Sequence, residues 1–102
     1  MDENCLSITG KIVGRIKVKV AVNGVKHHYF WLEHCSDNQI EAGMQRNVYC
    51  RLLVVLSEQS PSDKSACLQY GNHVKIVGFV AFNKDKREQN RLILHANTIE
   101  LI

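Results

Sequence analysis

Apolar and polar residues alternate along most of the chain, the signature of extended strands with one face turned to a core. Ile16, Val18, Val20 and Val22 alternate with Arg15, Lys17 and Lys19. This pattern predicts a first strand with an aliphatic row on one face and three cations on the other. The strand ends at Val22-Asn23-Gly24-Val25, where Asn-Gly predicts a two-residue type I′ turn and an antiparallel return. The second strand then runs from Val25 to about Cys35, with Phe30 and Leu32 on one face and Tyr29, Trp31 and Glu33 on the other. Residues 36–47 are polar and contain Ala42-Gly43, which predicts a loop. A third strand covers Val48 to Leu56, with Tyr49 and Arg51 facing away from Cys50, Leu52 and Val54. Ser57 to Asn72 holds Pro61 and several serines and predicts a connection with at most a helical turn around Lys64 to Gln69. The fourth strand is His73 to Phe82, with Gly78 as a bulge or close-approach point, and the fifth is Leu92 to Leu101. Between them, residues 83–91 carry four cations, two anions and no apolar side chain.

Five strands, an opening hairpin and a long connection between the third and fourth predict an all-β chain forming a small barrel. The favoured version is a five-stranded OB-fold barrel built from one domain, residues 1–102. Alternation alone leaves an SH3-like barrel or a small sandwich open.

Composition narrows the class without fixing the function. With 45% hydrophobic and 23% charged residues, the chain is a folded protein rather than a disordered tail. Thirteen Lys and Arg against ten Asp and Glu give a net charge of +3, which permits a polyanionic partner without requiring one. The longest apolar stretch, Leu52 to Leu56, is too short to cross a bilayer, and the opening Met1-Asp-Glu-Asn-Cys5 is acidic where a secretory signal is basic. The expectation is a cytoplasmic protein with no membrane partner. Its four cysteines form no C-x-x-C pair, so reduced thiols are expected.

The chemistry on offer is that of an unpaired nucleic-acid strand, whose bases present π-faces and whose backbone presents phosphates. In an OB barrel the outer face of strands two and three, with the loops after strands one and four, forms the groove. Trp31, Tyr29 and Tyr49 lie on those strands, and Lys84, Lys86, Arg87 and Arg91 lie in the second of those loops. Arg15, Lys17 and Lys19 add a basic row on strand one. Each feature also has a purely structural reading: alternating lysines solvate a strand, and Trp31 fits a core or a subunit interface as well as a groove. Catalysis is not expected. His34 and Cys35 are adjacent on a strand and point to opposite faces, the five histidines match no metal-ligand spacing, and no phosphate loop or paired carboxylate is present. No cofactor and no metal are therefore expected.

Specific strings go further. Phe30-Trp-Leu-Glu-His34, Glu41-Ala-Gly43 followed by Arg46 and Cys50, Val77-Gly-Phe79, and Leu94-His-Ala96 with Ile99-Glu-Leu-Ile102 together resemble primosomal replication protein N, the PriB family, over nearly the whole chain. The resemblance implies a single-strand-binding-type OB fold, a homodimer with strand one at its seam, and non-catalytic binding of single-stranded DNA during replication restart. The partners it implies are the restart helicase PriA, DnaT and single-stranded-DNA-binding protein. The family's basic DNA contacts fall on Lys19, Lys84, Lys86 and Arg91, and its stacking tryptophan falls on Tyr49. A second stacking aromatic falls on Met44 and a basic position falls on Cys35, which removes one ring and one charge. Lys17, Trp31 and Arg46 complete the candidate nucleic-acid-binding set. Two rival readings are a protein-interaction OB module that contacts a restart helicase and binds nucleic acid weakly, and an RNA-binding domain of the cold-shock type.

Overall fold

Period-two patterning produces five strands in chain order: β1 (Leu6–Val20), β2 (Lys26–Glu41), β3 (Met44–Glu58), β4 (His73–Lys84) and β5 (Asn90–Leu101). The computed structural model describes residues 1–58, 66–84 and 90–102. The strands hydrogen-bond in the order β1-β2-β3-β5-β4, and β4 pairs back onto β1 to close the barrel. Every pairing is antiparallel except β3 with β5, which run parallel from Leu53↔Ile93 to Val55↔His95. Five strands in this order, with β1 shared between two neighbours, make an OB barrel.

Closure depends on β1 changing partners. Leu6 to Lys11 pair with β4, and Lys11 to Val20 pair with β2. Gly10 lies where the strands crowd: a Cβ there would stand 2.6 Å from the backbone oxygen of Glu33, so any side chain would force β1 away from β2. The register then slips between Val13 and Lys17, and the added residues bend β1 around the barrel.

The core draws on all five strands. Ile12, Phe30, Leu32, Val54, Leu56, Val74, Ile76, Leu94 and Ile99 form one buried cluster, against which Cys67 and Leu68 pack from the β3–β4 connection. A single leucine or phenylalanine taken out of water in this way contributes about 1.5–3 kcal/mol. Phe30 and Leu32 are buried and Trp31 is not, as the alternation predicts. Among the described residues no helix is long and apolar enough to cross a membrane.

Three expectations need correction. Residues 36–47 are not a loop: β2 continues to Glu41 and β3 begins at Met44, so Ala42 and Gly43 alone make the turn, at φ 53° and 77°. Polar residues persist as strand here because the hairpin projects beyond the barrel and both its faces meet water. Second, Asn23-Gly24 does not form a type I′ turn. Asn23 keeps a negative φ, the Gly24 N–H donates to the Ala21 oxygen at 2.9 Å, and Gly24 alone takes the left-handed conformation at φ 86°. This is a type I turn followed by a bulge, with Asn23 Oδ1 accepting from the Val25 N–H. Third, the aliphatic row of β1 is not core. Ile16 packs inward, but Val18 and Val20 are 52% and 64% exposed. The core position on β1 is Ile12, because beyond the slip at Val13 the strand has left the barrel for a hairpin arm.

The remaining expectations hold more closely. Gly78 marks a register irregularity between β4 and β5. Ala66 and Cys67 form a 3₁₀ turn within the expected helical stretch, whose Lys64 and Ser65 lie outside the described residues.

Candidate nucleic-acid interface

Side chains of odd number on β2 and β3 point outward, opposite the buried Leu32 and Val54, and cross-strand registers arrange them in rows. One row runs Val13, Trp31, Leu53, Ile93 and Ala81 across the strands; the next runs Lys17, Tyr29, Val55, His95 and Phe79. Val55 and Ile93 are almost fully buried despite facing outward, so this side carries an apolar floor of its own. On that floor stand Tyr29, half-buried, and Trp31, 36% exposed. Phe79 stacks on the His95 ring at 5.0 Å along the same side. Trp31 is thus part of an outer wall and not of the core.

Three rings on this face, those of Tyr29, Trp31 and Tyr49, are accompanied by a cation. Lys19 Nζ lies 5.4 Å from the centre of the Tyr29 ring, and the Arg91 guanidinium lies 5.8 Å from the centre of Trp31. A cation held at such a distance is attracted by the ring quadrupole yet keeps its charge at the surface. Lys17 stands opposite Tyr29 in the register. The third ring, Tyr49, is exposed and belongs to a polar cluster. Its hydroxyl donates to Glu33 Oε2 at 3.2 Å and accepts from Arg51 Nε at 3.0 Å, while Arg51 Nη2 donates to the same carboxylate oxygen at 3.2 Å. These hydrogen bonds, that to Tyr49 foremost and then that to Glu33, hold the Arg51 pKa above its already high ordinary value. Its charge therefore persists throughout any working pH range.

The sequence-derived candidates divide accordingly. Lys17, Lys19, Trp31, Tyr49 and Arg91 come together on one outer surface. Lys84 is the last residue of β4, paired with Asn90 across the strand end, and Lys86 and Arg87 lie outside the described residues. Met44 and Arg46 occupy alternate positions to Tyr49 on β3 and so lie on the opposite side of the projecting hairpin. Met44 is exposed there. Arg46 pairs with Glu41 at 2.7 Å and lines a cleft of about 580 Å³ with Ser7, Ile8, Thr9 and His34. Cys35 is exposed opposite Tyr49 in the register. Arg51 and Glu33 share this surface with Tyr49 and are absent from the candidate set. The signal that could have found Arg51 is its two-residue spacing from Tyr49.

Both nitrogens of His34 are engaged. Nδ1 donates to the Thr9 oxygen at 2.7 Å, which leaves Nε2 to accept from the Ser36 hydroxyl at 3.0 Å. On this geometry His34 is not placed to activate the Cys35 thiol, which projects to the other face of β2.

A family model described as another single-strand binding protein family matches residues 4–98. The replication restart protein PriB of Shewanella halifaxensis is 39% identical over 101 residues, 99% of this chain and 98% of that protein. PriB of Haemophilus ducreyi is 35% identical over 100 residues, 98% of this chain and 80% of its own. Among solved structures, PriB from Ralstonia solanacearum superposes with a TM-score of 0.78 at 20% identity, covering 98% of both chains. A dimeric structure of the N-terminal domain of PriB from Thermoanaerobacter tencongensis superposes with a TM-score of 0.72 at 19% identity, covering 97% of this chain and 96% of that one. The last two likenesses concern the fold.

Proposed function

The chain belongs to the PriB family of replication restart proteins, within the single-strand binding proteins, and on that premise we propose that it binds single-stranded DNA without catalysis as an accessory factor in replication restart. The observation that carries this reading is the outer face of β2 and β3, where Tyr29, Trp31 and Tyr49 are each accompanied by Lys19, Arg91 or Arg51. Unpaired bases stack on such rings, and Lys19 and Arg91 then meet the phosphates that link them. Lys84 and Lys86, basic positions in the sequence at the end of β4 and between β4 and β5, are proposed as further phosphate contacts. Met44 and Arg46, on the far side of the hairpin, meet a strand only if it wraps past the hairpin tip. The engagement of His34 with Thr9 and Ser36 leaves it out of a nucleophile and base pair with Cys35.

The assembly proposed is a homodimer joined along β1, with the restart helicase PriA, DnaT and single-stranded-DNA-binding protein as partners at the fork. Beyond Ile12, β1 pairs with β2 on one side, and among the described residues no strand pairs with its other edge. An open strand edge of this length is a ready template for a second copy. The dimeric PriB structure from Thermoanaerobacter tencongensis supports a dimer, and the β1 seam rests on the open edge alone.

The test is the anisotropy of a labelled thymidine oligonucleotide measured across a salt series. Each phosphate neutralised on a single strand contributes about −0.7 to the slope of log affinity against log salt. Replacing Lys84, Lys86 and Arg91 together by alanine flattens that slope by about 2 if each grips one phosphate. Salt-insensitive, weak binding beside firm binding to a restart helicase would displace this reading in favour of a protein-interaction module. Preference for a matched RNA would favour the cold-shock-like alternative.

A further inference from the structure

Arg51 has no place in the aliphatic logic of β3. It is flanked by Tyr49 two residues before and Leu53 two residues after, all on the outer face, and its side chain is 56% exposed. Yet it is fixed at two points. Nε donates to the Tyr49 hydroxyl and Nη2 to Glu33 Oε2 of the neighbouring strand, while the Tyr49 hydroxyl donates to that same oxygen. Guanidinium N–H bonds lie in the plane of the group, so both acceptor oxygens lie near that plane. The phenol oxygen also lies in the plane of its own ring. The tyrosine ring and the guanidinium therefore meet at one shared atom, held there by a carboxylate.

We infer that Tyr49 and Arg51 form a single two-part stacking platform for an unpaired nucleobase, with Glu33 as the residue that positions it. The inference rests on the single-stranded-DNA reading above and adds to it a base-binding site and its chemistry. A guanidinium is planar, delocalised and weakly hydrated, so it takes a base face much as an aromatic ring does. Set beside the hydroxyl edge of Tyr49, it offers a base a second planar face next to the ring. Met44 lies on the other side of the hairpin, and Arg51 supplies on the Tyr49 side a second planar group. The Glu33 carboxylate compensates the Arg51 charge, so the cluster as a whole adds little to the phosphate-gripping field and acts through shape. The cations that grip phosphates are elsewhere on the face, at Lys17, Lys19 and Arg91.

Two substitutions separate a stacked plane from a point charge. Arg51→Met removes both plane and charge, and Arg51→Lys removes only the plane. Oligothymidine binding is expected to weaken about five- to tenfold in both, with the salt slope of each within about 0.3 of the unmodified protein. Arg51→Lys binding as tightly as the unmodified protein would overturn the platform, because a point charge would then suffice, and unchanged binding by Arg51→Met would do the same. Glu33 is tested by a matched pair that loses the same charge. Glu33→Gln still accepts from Arg51 and Tyr49, whereas Glu33→Ala does not, so Glu33→Gln should bind the oligonucleotide more tightly than Glu33→Ala. Equal affinity of the two would remove the positioning role. The far-ultraviolet circular dichroism of every variant should match that of the unmodified protein, since Arg51 and the Glu33 carboxylate lie outside the core. If the unmodified protein fails to bind at all in low salt, the DNA reading itself has failed. If it binds and the Arg51 variants bind equally well, only the platform has failed.

Discussion

Tyr49 is the residue on which the binding account is most exposed to test. Its ring is exposed, its hydroxyl is anchored to Glu33, and it buries little surface that the barrel needs. Tyr49→Ala should therefore cost one stacked base, about 1–3 kcal/mol or five- to 150-fold in affinity, while the melting temperature falls little. Oligothymidine titration of the variant beside a thermal melt separates the two effects; a large loss of stability with unchanged affinity would make the tyrosine structural. The outward direction of Tyr49 and Trp31 was legible from alternation with Phe30, Leu32 and Val54. The meeting of Glu33 with Arg51 was not. It depends on the pairing register of β2 with β3, which is set by a two-residue turn at Ala42-Gly43 and a bulge between Ser36 and Gln39. A chain read with a loop over 36–47 has no defined register, so no cross-strand partner for Glu33 follows from it.

At the scale of elements, both hairpins project from the barrel, and both misled a reading based on burial. The β1 arm carries valines that alternate as core residues do, yet Val18 and Val20 are exposed in a single chain. The β2–β3 arm carries polar residues that resemble a loop, yet they pair as strands to Glu41↔Met44. Alternation reports which residues share a face; it does not report whether that face meets a core. Strand order along the chain and the outer row of rings were legible because the barrel proper obeys the usual pattern. The β2–β3 turn also stores a small strain, since Ala42 occupies a left-handed conformation at φ 53° that favours glycine or asparagine. Ala42→Asn should raise stability by about 0.5–1 kcal/mol, read as a higher melting temperature with unchanged affinity for single-stranded DNA. A lower melting temperature would contradict the turn geometry.

For the whole molecule, the closed order β1-β2-β3-β5-β4 leaves the far half of β1, among the described residues, as an open edge beside exposed Val18 and Val20. Sedimentation at equilibrium should show a dimer, and Val20→Glu should shift it towards monomer by placing a charge where an exposed valine stands on the seam; an unshifted dimer would move the seam off β1. The barrel also positions Trp31, the chain's one tryptophan, on the outer face proposed to bind DNA, with Arg91 over its ring. A strand that stacks on the rings and draws Arg91 to a phosphate must change the surroundings of that indole. The most direct test is therefore a titration of Trp31 emission with oligothymidine at low and at high salt. The account predicts a saturable emission change at low salt whose midpoint moves to higher DNA concentration as salt rises. An emission that stays constant at low salt, with no DNA retained by the protein in the same samples, would contradict it.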